Sequence, residues 1–361
     1  MTNAPHRICT SLVVACAMLA ACATPSVTHD RLLVLQKSGA ALCILDPATG
    51  AELGRVAVGD GPHEVAVSPD GRTAVVSNYG GQKPGNSLTV VDVTAQKALA
   101  TIELTHDIGG PDGPRTRALL RPHGIRFLPD GRSVAVTSES SRRLVVVDID
   151  RGLVASTLPS PQPLMHMVEL SQDGKVAFCT SIQDGTLAAI PLDGSSPSAI
   201  PSGDGAEGLA VSADGNSVWV ANRAADEVVV FDAITQKRVA RIETAAFPIR
   251  VAMTPDGARA LVSCAEAGCV QVFDVATKKL VRTIDLLDDK TELSPLPIGI
   301  CIAPEGDRAW VACQRGEFVA VVNLATYAMV DRLPIGLGPD GMAYARWIEH
   351  GSIPSQRRND N

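Results

Sequence analysis

Pro62-His63-Glu64-Val65-Ala66-Val67-Ser68-Pro69-Asp70-Gly71 reads as a short apolar strand closed by a tight turn. Proline presets φ, the Asp side chain accepts local backbone N–H bonds, and glycine takes positive φ at no steric cost. The phrase returns as Arg121-Pro122-His123 running to Pro129-Asp130-Gly131, and as Met165-His166 running to Gln172-Asp173-Gly174. Its ending recurs at Gly215, Gly257 and Gly306. From Gly71 to Gly306 the intervals are 60, 43, 41, 42 and 49 residues, so the chain is an internal repeat with a period of about 42.

Within each unit the order is steady. One apolar strand precedes the turn, and a second follows it, as in Thr73-Ala74-Val75-Val76-Ser77-Asn78. A third ends in Asp at Asp92, Asp148, Asp232 and Asp274, where the carboxylate suits a turn acceptor. A fourth closes the unit, as in Ala98-Leu99-Ala100-Thr101-Ile102. Four-stranded antiparallel meanders at this period are propeller blades. A seventh inner strand stands at Gly338-Pro339-Asp340-Gly341-Met342-Ala343-Tyr344, and residues 32–58 supply the three strands it lacks. The prediction is an all-β, seven-bladed β-propeller over residues 31–348. Its C-terminal strand joins the N-terminal strands and leaves no open edge at the seam. The polar residues 349–361 are expected to be a disordered tail.

The wording of the repeats carries a resemblance. Pro62 to Gly71, Val218-Trp219-Val220-Ala221-Asn222 and Val229-Val230-Phe231-Asp232-Ala233 resemble the bacterial YVTN β-propeller repeat over roughly residues 31–348. A narrower resemblance is to lactonase-type propellers, which also carry a Pro-His or Arg-His dipeptide before an inner strand. His63 and His123 match that dipeptide. The resemblance implies the fold and leaves the activity open, because propellers host many functions.

Bulk properties agree with a β fold. Hydrophobic residues make up 45 % of the chain and aromatics only 3 %, so the core must be Val, Leu, Ile and Ala. The net charge of −7 is spread without long runs, which argues against a nucleic-acid partner. Ile8 to Ala21 is a mostly apolar stretch behind Arg7, shorter than the ~20 residues of a membrane span. It ends in Leu19-Ala20-Ala21-Cys22, which resembles the lipobox of bacterial lipoproteins. That resemblance implies a signal peptide over 1–21, lipidation of Cys22, a tether over 22–30 and a periplasmic protein. Ala23, in place of Asp, points to the outer membrane. Ordinary secretion with cleavage nearby is the alternative. In an oxidising compartment Cys264 and Cys269 could pair across the turn Ala265-Glu266-Ala267-Gly268, or pack as small apolar side chains.

His63, His123 and His166 each stand eight residues before the turn glycine, at the start of an inner strand beside the central channel. Through all seven repeats this position reads His63, His123, His166, Glu207, Ile249, Ile298 and Asp340. Five ionisable residues are therefore contiguous around a ring. Imidazoles with carboxylates are a donor set for a divalent metal, so the expected metal residues are His63, His123, His166, Glu207 and Asp340. One position on stand Glu64 and Arg250, both expected as ligand-binding residues, among glycines expected to leave room at the rim. Arg250 could hold an anionic substrate or bridge to another blade. Asn78 and Asn222, seven residues after their glycines, are expected beside the ring as ligand-binding groups if the hairpins pair simply. His123 is the catalytic candidate, as a base, with Arg250. The inserted loops at 79–86, 105–120 and 287–296 all fall on the face bearing the histidines. Three readings follow. The protein binds a small molecule or a metal at the channel mouth, or is a lactonase- or cyclase-like enzyme using the same ring, or is a scaffold for an envelope protein. A structural role for the histidines remains a fourth.

Overall fold

The structure, a computed structural model, describes residues 26–109, 115–287 and 293–350. The expected signal segment, Cys22 and residues 351–361 of the expected tail lie outside the described residues, as do 110–114 and 288–292 of two inserted loops. Residues 30–347 form one compact unit, the propeller. The chain ends make a second unit, in which His29 Nε2 lies 3.1 Å from Glu349 Oε2. No helix among the described residues is long and apolar enough to cross a membrane.

Seven four-stranded antiparallel sheets make seven blades. The second blade runs outward from its inner strand Pro62–Val67 through Thr73–Gly80 and Pro84–Asp92 to Lys97–Glu103. Blades three to seven start from Pro122–Phe127, Val168–Leu170, Ala206–Val211, Pro248–Met253 and Pro297–Ile302. The first blade takes its inner strand, Pro339–His350, from the C-terminus and pairs it with Ser26–Gln36, followed by Ala41–Leu45 and Glu52–Ala57. The predicted closure is thus present.

The core lies between blades. One cluster joins Leu33, Leu35 and Leu42 of the first blade to Val65, Val76 and Val91 of the second. Each such side chain contributes about 1.5–3 kcal/mol by leaving water. Trp219 and Trp310 are buried in this packing. The turns are built as read. Asp70 accepts from Arg72 N at 3.1 Å, and Gly71 has φ 74°. A Cβ at Gly71 would also lie 2.0 Å from the Arg346 carbonyl oxygen, so the neighbouring blade excludes one independently. The Asp residues ending third strands accept from the following turn, as Asp232 does from Thr235 N at 2.7 Å. Cys264 and Cys269 stand directly opposite each other, and all six described cysteines are buried free thiols, so of the two readings the structure shows the packed apolar side chains.

The entry to the inner strands decides the site, and here the hairpins do not pair simply. In five blades the register slips just inside the strand: Pro62 pairs Asn78, whereas Glu64 pairs Ser77. His63 sits in that bulge. A bulge leaves one residue unpaired and re-aims its side chain. Two residues before each ring position, in all but the fourth blade, the chain turns through a left-handed residue: Gly61, Arg121, Gly205, Phe247, Leu296 or Gly338.

Candidate functional site

The ring backbone is held from the preceding blade. Ser77 Oγ donates to the His123 carbonyl at 2.7 Å, Thr137 Oγ1 to the His166 carbonyl at 2.6 Å, and Ser263 Oγ to the Ile298 carbonyl at 2.7 Å. Thr180 does the same for Glu207. The glycines one position on do not leave room at the rim. A Cβ at Gly208, Gly299 or Gly341 would meet the carbonyl oxygen of Ile249, Asp340 or His63 at 2.1, 2.3 or 2.4 Å. Their role is close approach of neighbouring inner strands.

On this frame the three imidazoles stack. His63 and His123 have ring centroids 4.0 Å apart, and His123 and His166 are 3.9 Å apart. Tyr79 meets His63 and His123 edge-on, at 5.4 Å from each. The histidines differ in their partners. His166 Nδ1 lies 3.1 Å from Glu139 Oε1, and its Nε2 lies 3.4 Å from Glu207 Oε1. Burial works against charging this ring, but the two carboxylates outweigh it and raise its pKa to about 9. Glu207 is held in turn by Arg223 Nη1 at 2.6 Å, and Glu139 accepts from the Tyr79 hydroxyl. His166 at neutral pH is therefore a clamped imidazolium.

His123 is the opposite case. It is 1 % exposed, and neither ring nitrogen has a hydrogen-bond partner. Burial, then the neighbouring His166 imidazolium, push its pKa well down, so it is neutral. Burial, then Lys37 and His166, do the same to His63. His63 Nδ1 lies 3.5 Å from Asp340 Oδ2 and 3.9 Å from Glu64 Oε1. Burial raises the Asp340 carboxyl to about 6, although Lys37 Nζ stands 3.3 Å away.

The structure therefore brings the five ionisable ring residues into one chain of contacts but sorts them. The ligand atoms of His63, Glu64 and His123 all lie within 4.8 Å of one another. That trio overlaps the expected metal set without matching it. His166 and Glu207 are committed to each other and to Glu139 and Arg223, and Glu64 joins instead. Arg250 ion-pairs with Glu64, which belongs to a blade on the other side of the channel. Asn78 and Asn222 are not brought to the ring. Asn78 accepts from Gly59 N at 3.0 Å and donates to Ser87 and Thr89, while Asn222 accepts from Ser202 and donates to Glu227. Both brace the loop before their own inner strand.

Sequence reasoning missed Lys37, Tyr79, Glu139 and Arg223. Their signal was one residue further along the repeat. The last three stand eight residues after Gly71, Gly131 and Gly215, and Lys37 holds the matching place on the first blade. Seven residues after the glycine points into the blade, and eight points at the ring.

A seven-bladed β-propeller with a stacked-imidazole cluster at one channel mouth is the class of protein that fold and site define. The chain belongs to the lactonase seven-bladed β-propeller family, whose pattern, described as "Lactonase, 7-bladed beta-propeller", matches residues 36–287. Among solved structures it is similar to a functionally unknown protein from Desulfotomaculum acetoxidans, at 15 % identity and a TM-score of 0.70, covering 87 % of this chain and 98 % of that one. It is also similar to Kuenenia stuttgartiensis hydrazine synthase, at 19 % identity and a TM-score of 0.66, over 82 % and 92 % of the two chains. A third similar structure is dihydro-heme d1 dehydrogenase NirN, at 17 % identity and a TM-score of 0.59, over 84 % and 63 %. At these identities the likeness is one of fold. No curated protein matches the chain by sequence.

Proposed function

We propose that the protein binds a divalent metal ion at the channel mouth through His63, Glu64 and His123, and through it a small ligand. The observation that carries this reading is His123: a buried, neutral imidazole with both nitrogens unpartnered, beside a second neutral imidazole and a carboxylate. Buried polar groups are almost always satisfied, so an orphaned pair of ring nitrogens calls for a partner. Two imidazoles and a carboxylate suit zinc or a neighbouring transition ion, with further positions open. Such an ion would supply Lewis acidity toward a ligand carbonyl. Tyr79 closes the cluster edge-on, and the His166 clamp orients the stack from its other end.

The family match favours a second reading, in which the same ring acts on a lactone or related ring without metal. His123 would then take a proton, with Arg250 holding the substrate's charge. In both readings the propeller is presented at the envelope by a lipid on Cys22, probed by whether a Cys22→Ser variant leaves the membrane fraction.

Protein purified without a metal-affinity tag, then dialysed against zinc, should carry about one ion per chain by elemental analysis. A His123→Leu variant, which keeps most of the ring's bulk, should lose that ion while its metal-free melting temperature stays within a few degrees of the wild type's. Equal zinc in both proteins would sink the metal reading. Turnover of a lactone panel by metal-stripped protein, lost in the same variant, would establish the second.

A further inference from the structure

Below the histidines, toward the Pro-Asp-Gly face, the channel opens into a cavity of about 410 Å³ whose wall includes Glu64, Arg126, Glu169, Gln172, Ser212 and Arg250. That volume is in the range of small-molecule sites. Two arginines stand in the wall, and their states differ. Arg126 pairs with Glu169 through Nη2 and donates from Nη1 to the Ile125 carbonyl at 2.8 Å. Arg250 is 8 % exposed; its Nη2 is taken by Glu64, and its Nη1 has no partner. A buried guanidinium with one arm bonded and one arm idle has unused capacity for an acceptor. Its planar fork matches the two oxygens of a carboxylate, which makes the preferred acceptor an anion rather than a neutral carbonyl.

We infer that this lower cavity is a second binding site, for a small molecule carrying a carboxylate, with Arg250 as its anchor. It is distinct from the imidazole cluster in position and in the charge it selects. Glu64 belongs to both: it lines the cavity and stands in the trio with His63 and His123. A cation drawn to that trio pulls on the Glu64 carboxylate and frees more of the Arg250 fork, so a cation above and an anion below tighten each other's binding. The coupling is reciprocal by necessity. This coupling rests on the metal reading; the anion site does not.

Malonate is a suitable probe, and malonamide is its uncharged control. Calorimetric titration of the full chain without metal should show saturable binding of malonate and none of malonamide. An Ala252→Phe substitution fills the cavity from its wall while leaving both arginines and all three histidines in place. It should weaken malonate by about tenfold or more. A Glu64→Gln/Arg250→Gln double variant keeps a hydrogen-bonding pair across the channel without its charges, and should abolish malonate binding. Zinc should tighten malonate in the wild type. Failure of malonate to bind the wild type, or undiminished binding by either folded variant, overturns the site. Malonate binding that zinc leaves unchanged retains the site and removes the coupling.

Discussion

Two arcs of one ring carry opposite chemistry on the same backbone. From Asp340 through His63, His123 and His166 to Glu207 every side chain is of an ionisable type; Ile249 and Ile298 are not. Yet the apolar arc enters its strands through the same left-handed residue, here Phe247 and Leu296, and through the same bulge. The Ile298 carbonyl takes the same hydroxyl bond from the previous blade as that of His123. Frame and chemistry are therefore separable. The blades do not need imidazole to pack, and what the ionisable arc adds is an electrostatic arrangement that the apolar arc lacks.

The shared frame is open to direct attack. Gly299→Ala lies on the apolar side and Gly341→Ala beside His63, and each puts a Cβ against a neighbouring carbonyl oxygen. Both should cost about 3 kcal/mol in denaturant unfolding, the upper end for overpacking, because backbone rather than a flexible side chain must move. A large loss for Gly341→Ala alone would mean that the two arcs do not share one frame.

The next effect belongs to the ionisable arc alone. His166 has its folded pKa raised from 6.5 to about 9. Its contribution is fully present below 6.5 and is lost as pH rises through 9. The stability difference between wild type and His166→Gln should therefore shrink by roughly 2 to 3 kcal/mol from pH 6 to pH 10. His63 and His123, with lowered pKa values, act in the other direction, and their contribution is lost as pH falls below 6.5. A difference between the two proteins that stays flat with pH would show that the Glu139–His166–Glu207 clamp carries no net charge interaction.

The smallest expected effect is the sharpest contrast. His123→Leu converts one place of the ionisable arc into the apolar kind. Since neither nitrogen makes a hydrogen bond, the change should stay within about 1 kcal/mol of wild type. A loss of several kcal/mol would show that His123 has a structural partner, and that the arcs differ in folding as well as in chemistry.

Much of this was legible in the chain. The Pro-Asp-Gly phrase is a local signal, since turn geometry depends on a few adjacent residues, and its recurrence gave blade count, strand order and closure. The ring position was legible for the same reason. The direction of the neighbouring column was not. A one-residue bulge at the entry to the inner strands of these blades turns Asn78 and Asn222 into the blade and brings Tyr79, Glu139 and Arg223 to the ring. Because side chains alternate along a strand, a one-residue slip exchanges the two faces.

The sequence by itself determined the propeller and which seven residues face one another at its mouth, because a repeat places equivalent residues equivalently. Only the tertiary structure decided their states. His166 is charged and His123 neutral although both begin the same phrase, because one lies between two carboxylates and the other between two imidazoles. Arg250 meets Glu64, 186 residues away, across the channel. Such neighbours come from closing the ring, and no local pattern encodes the distance across it.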